Sequence, residues 1–171
     1  MRKAFTLIEL IIYIGISALV LVTLTNLTLN LIGVSVKIDT ATDVLYSSRI
    51  IIQRFMQEIR MADDVDIASS VFGTNPGKLV LQKSGGGTIT FDVYQKTPSV
   101  RTIRRQEDAA TAVDLTSDRV DVSNFVLNNR TRGTEAKNIQ YEFTITASNP
   151  ANDPLRQKSI TIRSASSVRK Q

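Results

Sequence analysis

The 171 residues of this chain include no cysteine, no histidine and no tryptophan. Without histidine and cysteine the chain lacks the side chains of Ser-His-Asp and Cys-His catalysis and the usual zinc ligands, so we predict no enzyme, no metal and no cofactor. The formal net charge of +5 is mild and does not by itself indicate a nucleic-acid partner.

The N-terminal part of the chain is almost wholly apolar, and between residues 4 and 36 only Glu9 is charged. A hydrocarbon core about 30 Å thick needs roughly 20 apolar residues at 1.5 Å each, so residues 5–36 predict a membrane-spanning helix. Arg2 and Lys3 precede this run. Basic residues at this end favour an N-terminus in the cytoplasm and the bulk of the chain outside.

Glu9 is unusual in such a segment. A carboxylate near the start of a membrane helix costs about 2.5–3.5 kcal/mol on insertion scales, which indicates a partner or a function. The alternative interpretation is that Glu9 lies at the level of the lipid headgroups in a single-pass anchor.

Residues 37–62 predict a continuation of the helix with two unlike faces. A stripe at spacings of three and four residues indicates the face that packs on a folded domain. The stripe consists of Ala41, Leu45, Ser48, Ile52, Phe55, Ile59 and Ala62. The opposite face carries Asp43, Ser47, Arg54, Gln57 and Arg60.

Residues 63–171 predict a β-rich globular head, because the apolar period changes from helical to two. The predicted strands are Lys78–Lys83, Thr88–Tyr94, Val100–Arg105, Ala112–Leu115, Val120–Leu127, Ile139–Ala147 and Ser159–Ser164. The glycine-rich stretch from Ser84 to Gly87 predicts a hairpin turn. The expected fold class is therefore α+β, with a long N-terminal helix packed on an antiparallel sheet.

The segment Ala4-Phe5-Thr6-Leu7-Ile8-Glu9, followed by an unbroken apolar helix, resembles the processing motif of type IV pilins and of the pseudopilins of type II secretion. The resemblance implies that residues 1–4 are a prepilin leader. It also implies that prepilin peptidase cuts between Ala4 and Phe5, that the new Phe5 amine is methylated, and that Glu9 acts in filament assembly. Glycine is commoner in this family at the position of Ala4.

The resemblance implies a structural role. The chain would be inserted in the bacterial cytoplasmic membrane and would interact with an inner-membrane assembly platform. It would then assemble with other pilin or pseudopilin subunits into a cell-surface or periplasmic filament. The absence of the proline that many major pilins of this family have within the span favours a minor pilin or a pseudopilin. Residues 49–64 and the last two predicted strands are similar to J-type minor pseudopilins and W-type minor pilins.

An alternative role is a DNA-uptake or adhesion pilin that binds through its head. A basic surface would have to be built from Arg101, Arg104, Arg105, Arg130, Arg132 and Lys137. Interleaved aromatic residues are lacking, so solvated charge is the simpler interpretation and no nucleic-acid partner is predicted. Asp63, Asp64 and Asp66 offer oxygen ligands for Ca²⁺, but without the spacing of a calcium loop they indicate an acidic turn.

Overall fold

A computed structural model describes residues 6–133 and 136–169 of the chain. It divides into two compact units between Ile38 and Asp39. Helix α1 covers Leu7–Met61. The remaining elements are β1 (Ala62–Val65), β2 (Leu79–Lys83), β3 (Thr88–Thr97), β4 (Val100–Glu107), β5 (Val113–Asp114), β6 (Val120–Asn129), β7 (Asn138–Ala147), a 3₁₀ turn (Pro154–Arg156) and β8 (Ser159–Ser167).

The strands of the described residues form two antiparallel sheets, one in the order β1-β2-β3-β4-β5 and the other in the order β6-β7-β8. The predicted α+β class is confirmed, and each predicted strand has a counterpart. Strand β1 was not predicted. It follows α1 directly and pairs Ala62 with Lys83, with an irregularity between Ala62 and Asp64.

The core of the second unit forms where the later turns of α1 pack on both sheets. Phe55 is fully buried at its centre. Its ring centroid lies 4.4 Å from that of Phe91 on β3, 5.7 Å from that of Phe125 on β6 and 5.3 Å from that of Tyr141 on β7. Aromatic groups at such separations add to the free energy gained by burying their surface.

The predicted stripe on α1 is partly wrong. Leu45, expected in the core, is 52% exposed, whereas Ser47, expected on the outer face, is only 3% exposed. The buried residues of α1 are Val44, Ser47, Ser48, Ile51, Phe55 and Ile59. Apolar residues occupy adjacent positions at 44–45 and 50–52. The helical spacing of apolar residues is therefore compatible with two different buried faces. Packing against the sheets buries the face that contains Val44 and Ile51.

The loop between β1 and β2 covers the outer edge of β6 at Phe125 and Leu127. The N–H of Gly73 donates to the carbonyl of Leu127, and the N–H of Gly77 donates to that of Phe125, both at 2.8 Å. The Asn75 side-chain oxygen accepts from the N–H of Phe125 at 3.0 Å. This loop therefore satisfies backbone groups that a neighbouring strand would otherwise satisfy.

The glycine-rich turn connects β2 to β3, as predicted. Gly85, Gly86 and Gly87 have φ values of 86°, 95° and 92°, in the left-handed region that glycine adopts without strain. The side chain of Asp108 accepts a hydrogen bond from the N–H of Thr88 just after the turn.

Candidate membrane segment and assembly site

The first unit presents an apolar surface along α1. The large apolar side chains from Leu7 to Val34 are between 47% and 77% exposed. The most apolar stretch of this helix is not buried against any other described part of the chain. Such a surface needs cover by lipid or by other protein. The helix is long and apolar enough to cross a membrane.

Three threonine hydroxyls inside this segment bond to the helix itself. Thr23 donates to the carbonyl of Val20 at 2.8 Å, Thr25 to that of Leu21 at 2.8 Å, and Thr28 to that of Leu24 at 2.9 Å. A hydroxyl without a partner is costly in hydrocarbon, and these bonds remove that cost. The threonines therefore do not oppose burial of the segment in lipid.

Glu9 lies in the first turn of α1 and is exposed. Its backbone N–H donates to the hydroxyl oxygen of Thr6 at 3.3 Å, and the N–H of Leu10 donates to the Thr6 carbonyl at 3.2 Å. Thr6 is therefore the N-cap of the helix, and Glu9 stands three residues later. This capping role of Thr6 was not predicted, although Thr-x-x-Glu is a recognisable start signal for a helix.

The cap places the carboxylate of Glu9 at the N-terminal end of α1, where a helix stabilises negative charge. The N–H groups of a first turn carry partial positive charge, which stabilises an acid there by about 0.3–1 kcal/mol. That gain is smaller than the cost of an unpaired carboxylate in apolar surroundings. Ala4 and Phe5, predicted to flank the cleavage site, lie outside the described residues.

The arginines considered for a basic surface on the head are already paired. The three pairs and their nitrogen–oxygen distances are Arg101–Asp121 (2.7 Å), Arg104–Asp92 (2.6 Å) and Arg105–Glu58 (2.7 Å). The carboxylates neutralise these guanidinium groups, so the side chains do not present free positive charge to phosphate groups.

The loop cations considered for the same surface are more open. Arg130 donates to the Gln140 side chain at 3.1 Å, and Lys137 lies 3.6 Å from a carboxylate oxygen of Asp64. Arg132 is exposed. The six cations considered for DNA therefore do not form one uniform basic surface.

The acidic turn after α1 uses its carboxylates locally. The Asp66 carboxylate accepts a hydrogen bond from the N–H of Ser69 at 3.0 Å, and hydrogen bonding to Ser69 lowers the pKa of Asp66. Asp64 accepts from the N–H of Val65 at 2.8 Å. Within the described residues, no group of three or more acidic side chains is placed to hold a metal ion.

The chain was compared with models of protein families, with curated protein sequences and with solved structures. None of the three comparisons finds a match. The functional interpretation therefore depends on the N-terminal segment and on the geometry described above.

Proposed function

We propose that the chain is a minor pilin or pseudopilin subunit, inserted in the cytoplasmic membrane and then assembled into a type IV pilus or a type II secretion pseudopilus. The observation that carries the proposal is a single carboxylate, Glu9, in the capped first turn of an exposed apolar helix. A short basic leader and the residues Ala4 and Phe5 precede that turn. The antiparallel head supports a pilin-like fold.

The assembly chemistry follows from one cut. Prepilin peptidase would cleave between Ala4 and Phe5, which creates a positively charged amine four residues before Glu9. Methylation of the Phe5 amine leaves that positive charge in place. In an apolar filament core, the Glu9 carboxylate of one subunit then pairs with the Phe5 ammonium of a neighbour, and each compensates the other. Only one axial stagger brings the two groups together, so the pair also specifies register.

As such a subunit, the chain has its N-terminus in the cytoplasm and its head outside the membrane before assembly. Afterwards, the apolar half of α1 lies in the filament core and the head is displayed outward, near the tip of the filament. The helix exchanges lipid for the helices of other subunits, so its exposed apolar residues remain covered in both states.

The direct test is the mass and N-terminal sequence of the protein from native membranes with active prepilin peptidase. We expect a chain that begins at Phe5 and carries one methyl group. A chain that still begins at Met1 under these conditions would overturn the proposal.

Assembly is tested separately with Glu9→Ala and Glu9→Gln. Both variants are expected to insert in the membrane at least as well as the wild type and to be absent from sheared filaments, because both remove the charge that pairs with the amine. Leu10→Ala, a neighbouring change that removes no charge, serves as the control. Normal incorporation of both Glu9 variants would contradict the assembly role and support the alternative that Glu9 lies at the level of the lipid headgroups.

A further inference from the structure

Strand β8 is a long and open edge of the head. It is the last strand of its sheet and pairs with β7 over nine residues without a register shift. The other edges are shorter or partly covered. Strand β1 has only four residues and an irregular register, β5 has two residues, and the loop that contains Asn75 bonds to Phe125 and Leu127 on the outer side of β6. Short, bulged or covered edges are the usual means by which proteins prevent unwanted strand pairing.

The hydrogen bonds at both ends of β8 identify the backbone groups that face outward. The N–H of Ala147 donates to the carbonyl of Lys158 at 2.8 Å, and the N–H of Val168 donates to that of Lys137 at 2.9 Å. In an antiparallel ladder, hydrogen-bonded pairs alternate with non-bonded pairs. The N–H and C=O groups that point away from β7 therefore belong to Ser159, Thr161, Arg163, Ala165 and Ser167, all of which are exposed.

The sequence of β8 does little to protect this edge. It contains no proline and no lysine, and its single charged side chain, Arg163, donates across the ladder to Glu142 at 2.7 Å. On the inner face, Ile160 and Ile162 pack against the core but remain only partly buried. A further strand with apolar residues at alternate positions would complete their burial, as expected where an edge accepts a partner.

Charge indicates which kind of strand fits. From residue 154 to residue 169 the chain has no acidic side chain. Arg156 and Arg163 pair with the carboxylates of Asp153 and Glu142, whereas Lys158 and Arg169, near the two ends of β8, have no carboxylate partner among the described residues. A second copy of β8 would bring the same cations against these, and like charges across a strand pair are destabilising. A strand that carries Asp or Glu on its solvent face is complementary.

We propose that the edge of β8 binds an extended acidic segment of another protein by antiparallel β-strand addition. The segment carries aliphatic residues on the face toward Ile160 and Ile162 and carboxylates on the face shared with Arg163. Its backbone bonds to the outward N–H and C=O groups of β8, so affinity comes from the main chain and selectivity from the alternate side chains. This surface belongs to the head alone and does not rest on the proposed filament role.

The probe is a fluorescein-labelled peptide, Glu-Val-Thr-Val-Glu-Val-Thr-Val-Glu, titrated into the full chain in detergent micelles and followed by anisotropy. Replacement of its three glutamates by lysine is expected to weaken binding at least tenfold. Equal binding of the acidic and basic peptides would overturn the charge argument.

A matched pair of modified peptides tests the backbone geometry. In an antiparallel pair, the amides of the threonines and glutamates face β8, and those of the valines face away. Methylation of both threonine amide nitrogens is expected to abolish binding, whereas methylation of two valine amides leaves it intact. The reverse result, or no effect in either peptide, would overturn antiparallel strand addition.

Thr161→Pro removes one outward N–H of β8 without removing a bond to β7, and Thr161→Ala keeps that N–H as the control. We expect only the proline variant to lose the peptide. Hydrogen exchange tests the same contact on the wild-type protein. We expect the acidic peptide to slow exchange of the backbone amides of Thr161, Arg163 and Ala165 but not that of Ile160. A concentration-dependent dimer that Thr161→Pro dissociates would identify a second copy as the occupant and overturn the proposal.

Discussion

Glu58 on α1 accepts a hydrogen bond from Arg105 on β4, with 2.7 Å between its Oε1 atom and the Nε atom of the arginine. The Glu58 side chain is only 11% exposed. Arg105 also donates to Glu107 at 2.9 Å. The pair joins the last turns of the helix to the sheet through partly desolvated charges, where removal of one partner leaves the other poorly compensated.

Glu58→Ala is therefore expected to lower the free energy of unfolding of the head by about 1.5–3 kcal/mol, the range for a hydrogen bond to a charged group. Urea unfolding followed by circular dichroism measures the change. Arg54→Ala, on an exposed position of the same helix, is the control and should change the free energy by less than about 0.5 kcal/mol. Equal effects of the two substitutions would contradict a structural role for the pair.

The buried face of α1 is tested by a comparison of two positions. Phe55→Ala removes a fully buried ring and is expected to cost about 3–5 kcal/mol. Leu45→Ala changes an exposed side chain and should cost less than about 0.5 kcal/mol. A loss for Leu45→Ala as large as that expected for a core leucine would support the stripe predicted from the sequence over the face observed.

Glu107 makes the stability of the head depend on pH. A hydrogen bond with Lys83, and then one with Arg105, lowers the pKa of Glu107 below its ordinary value of 4.5. A carboxyl group with a lowered folded-state pKa contributes stability above its unfolded-state pKa and loses it as the pH falls through the folded-state value. Below pH 4.5, the wild type should lose more stability than Glu107→Gln.

The measurement is a series of urea unfolding curves from pH 7 downward. Asp63→Asn, which changes an exposed carboxylate, is the control and should retain the wild-type pH dependence. Superimposable pH profiles for the wild type and Glu107→Gln would show that the ion pairs with Lys83 and Arg105 have no net effect on folding.

The Thr6 cap gives a prediction about the first turn of α1. Thr6→Ala is expected to destabilise that turn by about 1 kcal/mol, whereas Thr6→Ser keeps the hydroxyl acceptor. Hydrogen exchange in detergent micelles should show about fivefold faster exchange of the Glu9 amide in the alanine variant. The amides near Val44 report on the head and should not change. An unchanged exchange rate of the Glu9 amide in Thr6→Ala would show that Thr6 does not stabilise the first turn as an N-cap.

Local patterns predicted most of the fold. The change from helical period to alternation predicts the end of α1 within one residue, because Met61 is its last residue and Ala62 begins a strand. The alternation of Ile139, Tyr141, Phe143 and Ile145 predicts the inner face of β7, where all four are buried. These patterns are informative because a strand with apolar residues at every second position buries the face that carries them against a core.

Two of the features that were missed depend on contacts between residues far apart in the sequence. Neither the choice between Val44 and Leu45 nor the pairing of Arg105 with Glu58 has a local signal, since both are decided where the helix meets the sheets. The Thr6 cap did have a local signal. Thr6 and Glu9 stand three residues apart, and that spacing was interpreted only through Glu9.

The turn between β2 and β3 offers a practical site for following this protein. A side chain built on Gly85 or Gly86 would meet nothing within 4 Å, whereas one on Gly87 would come within 2.6 Å of Asp108. A short flexible tag inserted between Gly85 and Gly86 has room to project from the head, beyond Gln82 and Thr88, the last paired residues of the β2–β3 ladder. The turn lies far along the chain from Ala4 and Glu9, so a label there is outside the segment of the proposed processing and membrane insertion and lets the head be located by microscopy.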